Sequence, residues 1–425
     1  MIALTTVRAR QHLRAALLCL SGLVGSVPCA MAQVDGWTLE LAERTALERA
    51  PRVRSAVATR DTAYAYRAYG QMPRAGNPVV NLRTMIGKPD APAATYSVMV
   101  GIPFDVMGKR RAWRNEASFI TEEADAKLAA VQNEVRAEAR AAYVQVALAV
   151  AARSVAEQSA DTARELLERI QARLSANAAT ALDVALSESQ YAAASADVAR
   201  AQRTLVEAQN AFRQALGLPH DADVQVAVLS DPTLPASLTL EAAVQRAQQK
   251  RKEAAAWASA SQRWRSADRR LRAEAMAPVI AGLEGEAQGN QNTQKSVGAG
   301  LNFELPFVMT NQAERAVARG EASAASVERE LASHGIERDA SSSYRRLEAA
   351  LDELAAIEER ALPAAERTLQ MVQTMLEAGE VDYFRLLAAR GSAFQLRSRR
   401  VDALREAWLC RIALERAIGG WEEKL

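Results

Sequence analysis

The chain has 425 residues, 49% of them hydrophobic and 24% charged. That excludes a disordered chain and gives enough length for roughly two to three ordinary domains. Aromatics are only 5%, whereas alanine is about a fifth of the chain, well above ordinary usage. The composition therefore favours helices packed closely through small residues over a core of large side chains. Fifty-three basic against 51 acidic residues give a net charge of +2. A nucleic-acid partner would call for a basic excess, so none is expected.

In chain order, the first 32 residues read as a secretory signal. Arg8, Arg10 and Arg14 form the basic start, Ala15 to Val27 the apolar run, and Ala30-Met31-Ala32 the small-x-small cleavage site. The mature chain would begin at Gln33. The apolar run is too short for a spanning anchor. Lipidation of Cys29 is the alternative, and Pro28 fits it poorly. Cleavage would leave Cys410 alone, so no disulfide is expected within the mature chain. No later run of 18 apolar residues reads as a spanning helix. An exported chain can still cross a membrane as β-strands.

Shifted by about 201 residues, the sequence resembles itself. Thr38-Leu39-Glu40-Leu41-Ala42 matches Thr239-Leu240-Glu241-Ala242-Ala243, and Ile102-Pro103-Phe104 matches Leu305-Pro306-Phe307. Tyr143 matches Tyr344, Leu182-Asp183-Val184 matches Val381-Asp382-Tyr383, and Leu216-Gly217 matches Ile418-Gly419. The common order and offset make this a duplication. Residues 33–217 form a first repeat, with a β-hairpin at about 78–104 and a helical hairpin at 109–216. Residues 218–237 are a linker. Residues 238–420 form the second repeat, with a β-hairpin at about 278–307 and a helical hairpin at 308–418. A short tail, 421–425, follows.

Neither Gly nor Pro occurs between Gly108 and Gly217, so the usual helix breakers are missing. Apolar positions from Trp113 to Val146 step by three or four, which is a helix seam. Leu174 to Thr180 carries a turn: Asn177 suits a left-handed cap and Thr180 can cap the next helix. Residues 109–174 would make a rod of about 100 Å, and residues 180–216 return only about 55 Å. Residues 51–72, stacked end to end on the returning helix, fill the shortfall. The second half repeats this with 252–276, 308–375 and 380–418, and Gly379 takes the place of Asn177.

Four segments alternate with period two over about nine to eleven residues, the length and pattern of transmembrane strands. Tyr96, Val98, Val100, Ile102 and Phe104 share one face, as do Val80, Leu82 and Ile86. Asn81 and Arg83 fall on the other. In the second half Val279, Ala281 and Leu283 alternate with Gly282, Glu284 and Glu286. Val297, Ala299, Leu301, Phe303, Leu305 and Phe307 alternate with Asn302 and Glu304. Four strands cannot close a barrel, and lipid does not tolerate open edges. The chain should therefore oligomerise, with Glu284, Glu286, Asn302 and Glu304 lining a wet pore. A soluble periplasmic coiled-coil scaffold is the competing class, and it requires these strands to be soluble.

This arrangement resembles the TolC-like outer-membrane efflux channel family over essentially the whole mature chain. Three patterns carry the likeness. One is the tip, Arg173-Leu174 followed by Leu182-Asp183-Val184 and Glu188, repeated as Met375 to Asp382. The second is Leu216-Gly217-Leu218-Pro219, and the third is Phe104 to Arg111, similar to the turn of the heavy-metal branch of CzcC and CusC type. The resemblance implies an α+β, mostly α fold: a duplicated unit with four strands per chain, a twelve-stranded barrel shared by a homotrimer, and long antiparallel helices forming a periplasmic tunnel. It implies a bacterial outer-membrane location in contact with lipid. It implies a passive exit duct, neither enzyme nor cofactor-dependent, for metal ions or small toxic compounds. A periplasmic membrane-fusion adaptor and an inner-membrane RND-type pump would be its partners. A duct for type I protein secretion is the alternative within the same fold.

The resemblance also marks residues. Arg173, Leu174, Asn177, Asp183, Gly379 and Asp382 would meet the adaptor. Asn177 replaces the family glycine, and Met375-Leu376 replaces Arg-Leu. Of two acidic aperture positions, Asp382 matches one and the other falls on Arg385, so an Asp382–Arg385 ring is the expected gate. His220 and His334 lack neighbouring ligands, and no dedicated metal site is expected. The Arg263 to Arg272 cluster reads as a solvated helix face. Trp113, Trp257, Trp264 and Trp408 read as packing or interface residues.

Overall fold

The computed structural model describes residues 36–71, 76–86, 94–227, 229–235, 238–275, 278–289, 294–302 and 310–420. The signal segment, Phe303 to Phe307 with Glu304, and the tail lie outside the described residues.

The first half contains α1 (Leu39–Arg49), α2 (Pro51–Ala65), α3 (Arg67–Gln71), β1 (Val79–Ile86), β2 (Ala94–Phe104), α4 (Lys109–Ser175) and α5 (Ala181–Leu216). The second contains α6 (Leu240–Lys250), α7 (Glu253–Glu274), β3 (Val279–Gly289), β4 (Gln294–Asn302), α8 (Gln312–Ala356), α9 (Leu362–Glu377) and α10 (Tyr383–Ala417).

Local chemistry sets the boundaries. Thr38 and Thr239 each accept a backbone N–H from the first turn of α1 and α6. The Asp105 carboxylate accepts the N–H groups of Lys109 and Arg110, 2.8 Å each, where β2 hands over to α4. Two expectations need correction. The run 51–72 is broken at Tyr66 into α2 and α3. The 308–375 rod starts at Gln312, and Ile357–Ala361 forms a π-turn between α8 and α9. Pro363 stands in the first turn of α9. Its ring clashes with the carbonyl four residues back and it has no N–H to donate, so the regular pattern fails just ahead of it.

Two glycines seat the end-to-end stacking. Gly217 closes α5 at φ +66°, and a Cβ there would lie 3.0 Å from the Arg49 carbonyl oxygen, between α1 and α2. Gly419 follows α10 at φ +79°, and its Cβ would lie 2.8 Å from Lys250 Cβ, between α6 and α7. Thus α2 continues the line of α5, and α7 that of α10. A Gly419→Ala exchange combines left-handed strain with this contact. It should cost about 1–2 kcal/mol from the backbone alone, read as a lower thermal midpoint in detergent.

The main core lies midway along the rods, where α1, the middle of α4 and the ends of α5 and α10 meet. It is rich in alanine, with Phe212, Leu216, Trp408 and Leu414 as large buried members. The linker wraps it. Trp37 bridges Val226, the Tyr143 hydroxyl donates to Ala227 O at 3.1 Å, and Trp408 Nε1 donates to Ser230 O at 3.2 Å. A charge network crosses this level: Glu43 pairs with Arg136 and Arg140, and Glu415 with Arg140 and Arg411. Among the described residues, no helix is long and apolar enough to cross a membrane.

Candidate functional site

Two regions stand out at opposite ends of the rods. The first is one antiparallel sheet in the order β1-β2-β3-β4. Its centre joins the two halves, with Val98 opposite Gly285 and Val100 opposite Leu283. The register aligns apolar rows across all strands. Val80, Val100, Leu283 and Ala299 form one, and Leu82, Val98, Gly285 and Val297 the next. These side chains are open to the outside: Leu82 is 77% exposed, Val297 84% and Leu301 70%. The other face is polar at its centre. Arg83, Ser97, Glu286 and Ser296 form one row, and Asn81, Met99, Glu284 and Gly298 another. Asn302 lies opposite Ile280 on the same face. Gly101 and Pro103 of β2 are buried on that face, while Ile102 and Phe104 are exposed on the apolar one. Thr84 and Lys295 interrupt the apolar face only at the loop end, in the row with Tyr96 and Ala287. The outer edges of β1 and β4 have no partner among the described residues.

The second region is the pair of helical tips. Asn177 at φ 59° and Gly379 at φ 77° both adopt the left-handed conformation. The Ala178 N–H donates to Arg173 O and the Asn177 N–H to Leu174 O. Glu380 and Gly379 repeat this with Met375 O and Leu376 O. These are matching Schellman caps. Arg173, Leu174, Asn177 and Gly379 therefore act here through backbone geometry.

The helix starts shift the pairing of the tips. Thr180 caps α5 in a capping box with Asp183, and Asp382 caps α10, accepting the Arg385 N–H at 3.1 Å. Asp382 thus takes the place of Thr180, and Arg385 that of Asp183. The sequence had set Asp183 against Asp382, three residues out of step with the caps. The Arg385 guanidinium approaches the Asp382 carboxylate at only 4.0 Å, with both side chains 70% exposed.

Thr180 N–H and Oγ1–H donors hold the Asp183 carboxyl below its usual range. A depressed carboxyl contributes stability that is present above its unfolded value of 3.8 and is lost as pH falls through the lower folded value. The protection of amides in the first turn of α5, relative to their intrinsic exchange rates, should therefore fall once the pH drops below about 3.8. Asp183→Asn should remove that dependence.

Sequence reasoning missed the contact that joins the tips. The Tyr383 hydroxyl lies 3.1 Å from Ser187 Oγ, above a small cluster of Leu166, Leu386 and Leu387. Burial raises the Tyr383 phenol, partly offset by Ser187. A tyrosine just inside a capped helix start was the available signal. The arginine-rich segment of α7 also differs from a uniform solvated face. Arg263 pairs with Glu123, and Arg270 with Glu116 and Glu274. Arg270 also lies over the Trp113 ring, which stacks on Tyr69. Among the described residues, no three His, Cys, Asp or Glu side chains converge on a metal-sized site.

Residues 43–218 match the family model of the outer membrane efflux proteins. Over that stretch the chain is similar to the outer membrane efflux proteins. It is 24% identical over 352 residues to the cobalt-zinc-cadmium resistance protein CzcC of Cupriavidus metallidurans, covering 80% of this chain and 81% of that one. The fold matches that of CusC, with a TM-score of 0.71 at 18% identity over 92% of this chain and 96% of the other. It also matches VceC of Vibrio cholerae, with a TM-score of 0.71 at 16% identity over 91% and 97%.

Proposed function

We propose that the chain is an outer-membrane exit duct, assembled as a homotrimer whose sheets close one twelve-stranded barrel. The observation that carries this is the open-edged sheet with one apolar face, interrupted only at its loop end, set on rods of about 100 Å. Its strands of 8 to 11 residues suit a membrane crossing. Its two free edges are stable in lipid only when paired with further copies. The two repeats, 33–217 and 238–420, each supply one hairpin to the barrel and one helical hairpin to a periplasmic tunnel.

In this reading Glu284, Glu286 and Asn302 line the pore, and the duct is passive. A periplasmic adaptor meets the tips at Arg173, Leu174, Asn177, Asp183, Gly379 and Asp382. An inner-membrane RND-type pump supplies the energy. The exposed Asp382–Arg385 pair is the aperture gate. The name of the Cupriavidus relative supports metal cations as cargo.

The test is to express the full precursor, isolate outer membranes, extract with detergent and weigh the particle by light scattering. A particle of three mature chains is the expected result. A soluble periplasmic monomer would overturn the proposal.

A further inference from the structure

Three arginines of α7 remain once its ion pairs are assigned. Arg265, Arg269 and Arg272 are exposed, and none has an ion-paired carboxylate among the described residues. They follow one another by four and three residues, so they form one stripe on the helix. The contacts of α7 show which way the stripe points. Arg263 and Arg270 turn toward α4, meeting Glu123 and Glu116. Asp268 and Ser261 turn toward α8, meeting Arg315 and the Ala322 carbonyl. At roughly 100° per residue, these two directions span less than half a turn, and the stripe lies on the wider free arc.

The neighbouring helix agrees. Glu116 and Glu123 of α4 face α7, whereas Thr121 and Asp125 face α3 and α2 through Arg67 and Tyr64. Exposed Arg111 falls on the free arc of α4. Because α4 and α7 run antiparallel, both free arcs lie on the same side of the helix wall. One exposed acid, Glu122, shares that side with the four arginines. The free side of α4 and α7 is thus basic at this level.

This level borders the apolar band. Arg272 stands two residues before the end of α7, and β3 begins at Val279. The stripe descends about 11 Å from Arg272 to Arg265. The headgroup layer of a leaflet is roughly 5–8 Å thick, and an arginine side chain reaches several ångströms further by snorkelling. Resting on the membrane reading above, we infer that Arg265, Arg269, Arg272 and Arg111 bind the anionic phospholipid headgroups of the inner leaflet. Charge complementarity and continuity with the apolar face name lipid as the occupant. The guanidiniums hold phosphates while the strands above hold the acyl chains.

The test uses the full-length protein in detergent, with native mass spectrometry of the lipid retained. Phosphatidylglycerol and phosphatidylethanolamine are offered in equal amounts. The wild type should retain several-fold more phosphatidylglycerol. Combined Arg265→Gln, Arg269→Gln and Arg272→Gln should abolish that preference while the particle mass stays the same. A control replacing the exposed arginines Arg164, Arg200 and Arg203 of the tunnel helices by Gln should keep it. Equal retention by wild type and stripe variant overturns the inference, as does equal loss in the control. So does an unchanged lipid preference together with loss of a co-purifying acidic protein, which would make that protein the occupant. A wild type that is not membrane-embedded would instead sink the channel reading itself.

Discussion

An arginine at Val98 should abolish outer-membrane assembly, whereas one at the adjacent Ser97 should leave it intact. Val98 sits near the middle of β2, flanked by Leu82 and Gly285 on the apolar face. If that face meets lipid, a charge near the midplane costs about 2–4 kcal/mol per chain. Three chains in one barrel would each bear it. Ser97 points to the polar face, in the row of Arg83 and Glu286, where a charge stays hydrated. Heat-modifiable mobility of outer-membrane extracts distinguishes assembled from unassembled protein for each variant. Equal tolerance of both substitutions would refute a lipid-facing sheet, because an exposed sheet in water has no reason to distinguish its faces.

The second large effect lies in the core. Trp408 is 2% exposed, and its indole N–H meets the Ser230 carbonyl in the linker. The Arg411 guanidinium lies 5.1 Å from the ring centroid. Trp408→Ala removes the largest side chain from a core of alanines and aliphatic residues held on long rods, where little can collapse into the gap. A loss of about 3–5 kcal/mol is expected, a large part of a typical domain's stability. Trp408→Phe keeps most of the buried area. Its smaller loss should be dominated by the linker hydrogen bond, about 1 kcal/mol. Thermal melts of the detergent-solubilised protein would measure both. An alanine variant within 0.5 kcal/mol of wild type, on the ordinary scale of surface substitutions, would mean that the linker does not clamp this level.

Much of the fold was legible because its signals are periodic and uninterrupted. Period two in β2 placed Val98 and Ser97 on opposite faces, and pairing across the sheet kept that assignment. The breaker-free stretch before Gly217 gave one helix of 67 residues, and the Leu174 to Thr180 segment gave its turn. What was illegible depends on contacts between distant residues. The division of the α7 arginines follows from Glu116 and Glu123, far away on α4. The break at Tyr66 has no glycine or proline to announce it. Pro363 stands in the sequence inside the run 308–375, which reads as one rod. The tip pairing slipped because Asp183 and Asp382 look alike as letters, while the backbone aligns Asp382 with Thr180 by their shared capping role.

The π-turn at Ile357–Ala361 makes the two rods mechanically unequal. α4 is an unbroken beam, each turn braced by hydrogen bonds of one kind. The rod of α8 and α9 has a compliant joint, where a wider turn and the missing proline donor leave fewer bonds to resist bending. Arg400 of α10 ties the joint itself through Glu358 at 2.7 Å, and Arg397 ties α9 just beyond it through Glu366 at 3.1 Å. A bending load on the second tip is therefore relieved at this joint, while the same load on the first is carried along α4 to the core.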